Sequence, residues 1–406
     1  MSQSETTPLL NSPLSRAARL RVVLRGPLGL AILAGLFDIA GLTGMLPQHV
    51  FLIDAHCRQH YAAVGGQPPF DCGAAEVQAA TARFVGLQTM LNLIPSCLAS
   101  LLFGALSDRI GRKPIFLISS CGFLLTLIAS YAAATFNLPL KYLLVASLID
   151  GFCGSAPVMI TTLTSQLVDT TTTENRSSWM GLYVSFTSAG NVIGWGLGGL
   201  LTRQQNYTEI DLTVYTPPFR ITCYAVLLII ISYAAFIPET LAKTKAAQNE
   251  SRSVQRWWAC VVDEARKFRD VPWLPMGAYM AGVALVGARS RVDFLWTFTV
   301  WQWGTSENAW FASISSIGPI ICCSILTPII ESRAKTRLIN AAPATPDSDT
   351  ESHNRWISEK TYLAVMATAY GCVTVAMTIL LLFGAQIKWL RDSVSESGAW
   401  RAADAA

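Results

Sequence analysis

Hydrophobic residues along this chain fall into nine blocks of about twenty residues or more, separated by polar segments. A helix needs about twenty apolar residues to cross a bilayer core about 30 Å thick. A spanning helix also satisfies its own backbone polar groups. The pattern therefore predicts an all-α polytopic membrane protein. The nine predicted spans are residues 27–53, 82–107, 114–135, 141–168, 178–201, 218–237, 273–300, 309–330 and 362–384.

The polar segments divide the chain into five parts. They are a disordered cytoplasmic tail at 1–26, a six-helix bundle at 27–237, a linker at 238–272, a three-helix unit at 273–384 and a second tail at 385–406. The linker opens with Pro238-Glu239-Thr240, and its stretch from Arg256 to Arg269 has the aromatic and basic residues of an amphipathic helix at a membrane surface.

Composition agrees with a membrane protein, because only 14% of residues are charged and 52% are hydrophobic, against about a quarter charged in soluble domains. The loops on one side of the predicted spans carry twenty Lys and Arg residues, and those on the other carry three. Positive loops stay inside, so the N-terminus is predicted to be cytoplasmic. The net charge of +4 therefore reflects topology, and no nucleic-acid partner is expected.

The segment between the second and third spans is Gly104-Ala-Leu-Ser-Asp108-Arg109-Ile-Gly111-Arg112-Lys113. It resembles the signature hairpin of major facilitator superfamily transporters. The resemblance implies the major facilitator fold of two six-helix bundles. The C-terminal bundle is here predicted to be incomplete, with three helices, which an incomplete gene model or a natural truncation would explain.

The resemblance also implies roles for this hairpin. Asp108 would contact a helix of the second bundle, while Arg109 and Arg112 would complete a charge cluster that latches the outward-facing state. The glycines, Gly104 and Gly111, would permit close helix approach and a tight turn. The alternative is that the bases, Lys113 above all, only follow the positive-inside rule.

Three further segments resemble fungal major facilitator proteins related to the proton-coupled folate transporter group. They are Cys57-Arg-Gln-His-Tyr61, the connection from Thr164 to Arg176 with Asp169, and Asp293-Phe-Leu. This narrower resemblance fixes no substrate.

Two acids are predicted within spans of the six-helix bundle, where charge is costly and usually functional. Asp38 lies near the middle of the first span and is the candidate for proton coupling; the alternative is a structural acid paired with a neighbouring helix. Asp150 stands in the fourth span where many family members carry arginine, so that role cannot be transferred. Asp150 would bind a proton or a cation, or else be solvated near the interface.

The seventh span carries Arg289, Arg291 and Asp293. Arg289 and Asp293 are four residues apart and share a helix face, and two guanidiniums would suit an anionic substrate. The alternative is that the span ends here and these charges meet lipid headgroups. Gln48 and His49 are expected to line the entrance from the first span.

Glycines recur along the fifth span, as they do in antiporters of the family, and close helix packing explains them as well. They are Gly181, Gly190, Gly194, Gly198 and Gly199.

Three sequence features bear on the cellular location of the protein. Cys57 and Cys72 lie in the first exofacial loop and are candidates for a disulfide, and Asn206-Tyr-Thr208 is a glycosylation sequon. In the N-terminal tail, a sequence with Glu5, Leu9 and Leu10 resembles the dileucine signal read by sorting adaptors. The plasma membrane or a vacuolar or endosomal membrane is therefore expected.

These patterns predict secondary active transport of a small organic solute, coupled to protons, by alternating access. No phosphate-binding loop of a primary pump is present in the sequence, and no residue set resembles a hydrolytic or redox site, so an enzyme, a cofactor and a metal are not expected. The alternative is a truncated, non-transporting membrane protein with a receptor or interaction role, or an inactive fragment.

Overall fold

The computed structural model describes residues 26–65, 70–172, 175–202, 210–240 and 305–317, with single residues at 67, 320, 329 and 333. Helices dominate all of these ranges. They are α1 (Pro27–Val64), α2 (Ala75–Ile110), α3 (Arg112–Phe136), α4 (Lys141–Phe152), α5 (Ser155–Thr170), α6 (Arg176–Leu201), a 3₁₀ turn (Leu212–Tyr215), α7 (Thr216–Phe236) and α8 (Thr305–Ser315).

The prediction of an all-α membrane protein is confirmed. Five described segments are long and apolar enough to cross a membrane: Pro27–Val64, Ala75–Ile110, Arg112–Phe136, Lys141–Thr170 and Leu212–Phe236. The fifth predicted span corresponds to α6, and the start of the eighth to α8. The seventh and ninth predicted spans lie outside the described residues.

The first helix is longer than the predicted span, which ended at residue 53. α1 continues to Val64, because buried side chains extend along it past residue 53. Asp54, Ala55 and Cys57 are all buried on this extension. Cys57 therefore lies on a helix and not in a loop, and it is joined by a disulfide to Cys72, with the two Cα atoms 5.2 Å apart.

The fourth predicted span is broken into α4 and α5. The break lies at Cys153 and Gly154, where Gly154 adopts a φ of 92° that glycine tolerates without a steric penalty. Hydroxyl groups satisfy the carbonyls at the break: Ser119 donates to the Cys153 oxygen at 2.7 Å, and Ser96 donates to the Gly154 oxygen at 2.8 Å. Such internal partners make a helix break tolerable at membrane depth.

The tightest helix contact joins α1 to α6. A Cβ atom added at Gly190 would collide with the backbone oxygen of Gly35, and one at Gly194 would lie 3.0 Å from the Ile39 oxygen. Small residues that let two backbones approach are typical of packed membrane helices. The predicted packing role of these glycines therefore has a structural basis.

Two buried apolar clusters fill the bundle at its two ends. The first surrounds Phe51, Phe219 and the disulfide, and we call this the disulfide end. The second includes Phe116 and Tyr233, whose rings lie 4.1 Å apart. It lies towards the segment Gly104–Lys113, and we call this the hairpin end. The site described below lies between the two clusters.

We predict that Gly190→Ala destabilises the protein by about 1–3 kcal/mol, because overpacking at a backbone contact forces the helices apart. Gly86→Ala is the matched control, since a Cβ at Gly86 meets nothing within 4 Å and alanine favours a helix over glycine. Thermal unfolding of the purified protein in detergent measures both. Equal midpoints for the two variants would contradict the packing role.

Candidate functional site

A cavity of about 400 Å³ lies between α1, α2, α3, α4 and α5. Its polar lining comes from four of these helices and from the start of α5: Asp38, Gln48, His49, Gln88, Thr89, Asn92, Thr126, Ser147, Asp150 and Ser155. Cavities of 300–1,000 Å³ with a mostly apolar wall and a few polar groups are typical of small-molecule sites.

Asp38 lies in this wall, about eleven residues from the start of α1. Its Cβ faces α6 closely, because a Cβ on Gly190 would lie 3.1 Å from it, and Tyr183 of α6 interacts with it electrostatically. Within the described ranges, no lysine or arginine pairs with Asp38. The structure thus places the predicted coupling acid beside a cavity.

Asp150 is held by a polar network in the same wall. Its Oδ2 accepts a hydrogen bond from Asn92 Nδ2 at 2.7 Å and one from Ser155 Oγ at 2.8 Å. Its Oδ1 has no partner among the described residues. Asp150 is only 3% exposed, so it is not a solvated residue at the end of its span.

The sequence pattern alone did not single out the partners on α2. Gln88 donates to Ser147 Oγ at 3.0 Å, Asn92 contacts Asp150, and Ser96 donates to Gly154. These three polar residues are spaced four apart, so they form one stripe along the helix. This four-residue spacing was the signal by which the sequence could have indicated a polar face on α2.

A second buried carboxylate lies at the disulfide end. Asp54 on α1 is fully buried and accepts a hydrogen bond of 2.5 Å from the Tyr215 hydroxyl. Tyr215 packs edge-on against Phe51. This contact fastens α1 to the 3₁₀ turn before α7 and lies outside the cavity lining.

The predicted hairpin is a sharp turn between α2 and α3. Gly111 separates the two helices with a φ of 110°. Arg112 follows it and pairs with Asp108 at 2.8 Å and with Asp169, at the end of α5, at 3.4 Å. Asp108 thus contacts its own hairpin, and its predicted contact with a helix of the second bundle is not seen among the described residues.

Glu239, from the Pro-Glu-Thr segment after α7, caps the start of α3. Its carboxylate accepts the backbone N–H groups of Arg112 at 2.9 Å and Lys113 at 3.0 Å. A Cβ at Gly111 would overlap this carboxylate, so glycine is required there for space as well as conformation. Lys113 Nζ donates to the Ala234 oxygen at 2.6 Å, which ties α3 to the end of α7.

Several predicted residues lie outside the described part of the chain. They are Glu5, Leu9, Leu10, Asn206, Arg289, Arg291 and Asp293, together with the amphipathic stretch from Arg256 to Arg269. Among those described, Asp38 and Asp150 share the cavity, and Arg109 has no described ion pair.

We predict that Glu239→Ala destabilises the protein by about 1–2 kcal/mol, because the first N–H groups of α3 lose their acceptor. Glu76→Ala is the control, since Glu76 is in the first turn of α2 and accepts no described hydrogen bond. We expect a change below about 0.5 kcal/mol for it. Denaturant unfolding of both variants measures the difference, and equal losses would rule out the cap.

The chain resembles several curated transporters. It is 23% identical over 345 residues to the MFS efflux pump atnC of Emericella nidulans, covering 78% of this chain and 65% of the pump. It is 25% identical over 163 residues to the proton-coupled folate transporter of Bos taurus, covering 40% of this chain and 34% of that protein. The chain thus spans from about a third to just under two thirds of the length of these relatives.

The solved structure of the human organic anion transporter MFSD10 (TETRAN) matches with a TM-score of 0.51 and 18% identity, covering 88% of this chain and 85% of that one. This likeness concerns the fold. The sequence model of the Major Facilitator Superfamily matches residues 28–385 of this chain, which include both the cavity lining and the hairpin. The chain therefore belongs to the Major Facilitator Superfamily.

Proposed function

We propose that this protein is a proton-coupled secondary transporter of a small organic solute that works by alternating access. The observation that carries the proposal is the position of Asp38, a carboxylate about eleven residues into a membrane-length helix and in the wall of a 400 Å³ cavity. An acid at such depth is costly unless it serves a pathway for ions or substrate.

Proton binding at Asp38 would change the charge of the cavity wall. The described titratable groups around it are Tyr183 on α6, His49 on its own helix, and Asp150 across the cavity. A proton bound at Asp38 would neutralise a carboxylate that forms no ion pair with a described lysine or arginine. The relative named a proton-coupled folate transporter supports this kind of coupling.

The hairpin end provides the stiffness that such a cycle needs. Arg112, Lys113 and Glu239 join α2, α3 and the end of α7 into one unit. Rigid-body movement of a bundle about a central site is the usual route of alternating access. We propose that this end is cytoplasmic, as the distribution of basic residues predicts, and that the disulfide end is exofacial.

The first test asks whether the cavity opens to both sides. Thr89 lines the cavity and bonds only to its own helix, through Val85, so Thr89→Cys preserves the wall. In a chain that keeps only Cys57 and Cys72, we expect a membrane-impermeant methanethiosulfonate reagent to label it from outside in cells and from inside in inverted vesicles.

Two exposed positions serve as one-sided controls in the same background. Leu138→Cys at the disulfide end and Ile110→Cys at the hairpin end should each be labelled from a single side. Labelling of Thr89→Cys from one side only, with both controls behaving as expected, would contradict transport and favour the non-transporting alternative.

A second test addresses the coupling residue. In the Thr89→Cys chain, the labelling rate from outside is divided by that of Leu138→Cys at the same pH, which corrects for the thiolate fraction that reacts. We expect this ratio to differ at least threefold between pH 5.5 and pH 7.5, because protonation of Asp38 shifts the balance of the two states. Asp38→Asn mimics the protonated acid and should make the ratio independent of pH. An unchanged pH dependence in that variant would exclude Asp38 as the coupling site.

A further inference from the structure

The described wall of the cavity contains two carboxyl groups and no side-chain cation of lysine or arginine. Asp38 and Asp150 both line it, whereas none of its described lining residues is lysine or arginine. His49 is the remaining lining side chain that can carry charge near neutral pH. An anionic solute would face repulsion from this wall, and a cation would be attracted.

Two aromatic rings line the same cavity as the acid. Phe37 and Phe123 both line the cavity, and their ring centroids are 5.4 Å apart with a tilt of 43°. Phe37 directly precedes Asp38 on α1. Aromatic faces attract cations, most of all where water is excluded, and they also pack against apolar groups.

Asp150 adds a second carboxyl group to the wall. Asn92 and Ser155 donate to its Oδ2, while Oδ1 has no hydrogen-bond partner within the described residues. Both donors are neutral and bring no positive charge of their own. No described lysine or arginine pairs with this carboxyl group.

We infer that the cavity binds an organic cation with an apolar body, its charge next to Asp38 and its apolar part against Phe37 and Phe123. The inference rests on the proposed function in taking this cavity as the solute site, and it adds the class of solute. A volume of about 400 Å³ suits a molecule of drug-like size.

The test uses two probes of similar shape and opposite charge. Tetraphenylphosphonium is a permanent cation, and tetraphenylborate is an anion of nearly the same size, so their comparison isolates the sign of the charge. Equilibrium dialysis with the purified full chain in detergent at pH 7.5 measures both. We expect saturable binding of the cation, at least tenfold tighter than that of the anion.

Variants assign the binding to the cavity. We expect Asp38→Asn to weaken tetraphenylphosphonium binding at least tenfold, and Phe123→Leu to weaken it about threefold by removing an aromatic face. Asp211→Asn is the matched control, because this acid is exposed and lies just before the 3₁₀ turn, away from the cavity. Thermal unfolding without ligand verifies that each variant is folded.

Three outcomes would overturn the inference: no saturable binding of the cation, equal or tighter binding of tetraphenylborate, or equal loss in Asp38→Asn and Asp211→Asn. The second would favour an anionic solute. Because dialysis requires no membrane, its failure leaves the labelling test of alternating access unaffected. Conversely, Thr89→Cys could be labelled from one side only while tetraphenylphosphonium still binds more tightly than tetraphenylborate. That result would exclude the transport proposal and support the cation site.

Discussion

Every polar group within a membrane-spanning helix needs a partner inside the protein, and this requirement shapes the described structure. Where α4 stops and α5 begins, the carbonyls of Cys153 and Gly154 accept hydrogen bonds from the Ser119 and Ser96 hydroxyls. Because those hydroxyls come from α3 and α2, the break joins three helices at one level. Asp150 and Asn92 occupy the same region, so the polar groups that permit the break also build the cavity wall.

The close contact of α1 with α6 has a second consequence. Glycines on α6 let its backbone approach Gly35 and Ile39, which fixes the rotation of α1. Asp38 lies between Gly35 and Ile39 along α1. Its position in the cavity wall therefore follows from the rotation of α1. A larger residue at Gly190 would turn or shift α1 and move the acid relative to the cavity.

The two ends of the bundle are held by different chemistry. The disulfide end has a covalent link between Cys57 and Cys72 and a fully buried Asp54–Tyr215 hydrogen bond. The hairpin end relies on charged groups that are partly exposed, as Asp108 is. Exposed ion pairs contribute little each, so the hydrogen bonds of Glu239 and Lys113 are what join α3 to the end of α7.

Much of the fold follows from the sequence, because bilayer thickness sets the length of apolar blocks and the need to satisfy the backbone makes them helices. The hairpin motif and the approximate limits of most of the first six spans could be predicted in this way. The sequence also contained signals for the helix break at Gly154 and for the α2 stripe of Gln88, Asn92 and Ser96. The residues that they contact could not be predicted, since spacing along one helix does not tell which neighbouring helix the stripe meets.

The sequence by itself determined the helical class, the membrane setting and the family motif, because these depend on local composition and short-range order. The tertiary structure alone decided that Glu239 caps α3 from 126 residues away, that Asp108 pairs with Arg112, and that Asp38 and Asp150 face one cavity. Such contacts depend on how helices rotate against one another. That rotation is set by packing between distant segments, which no local pattern encodes.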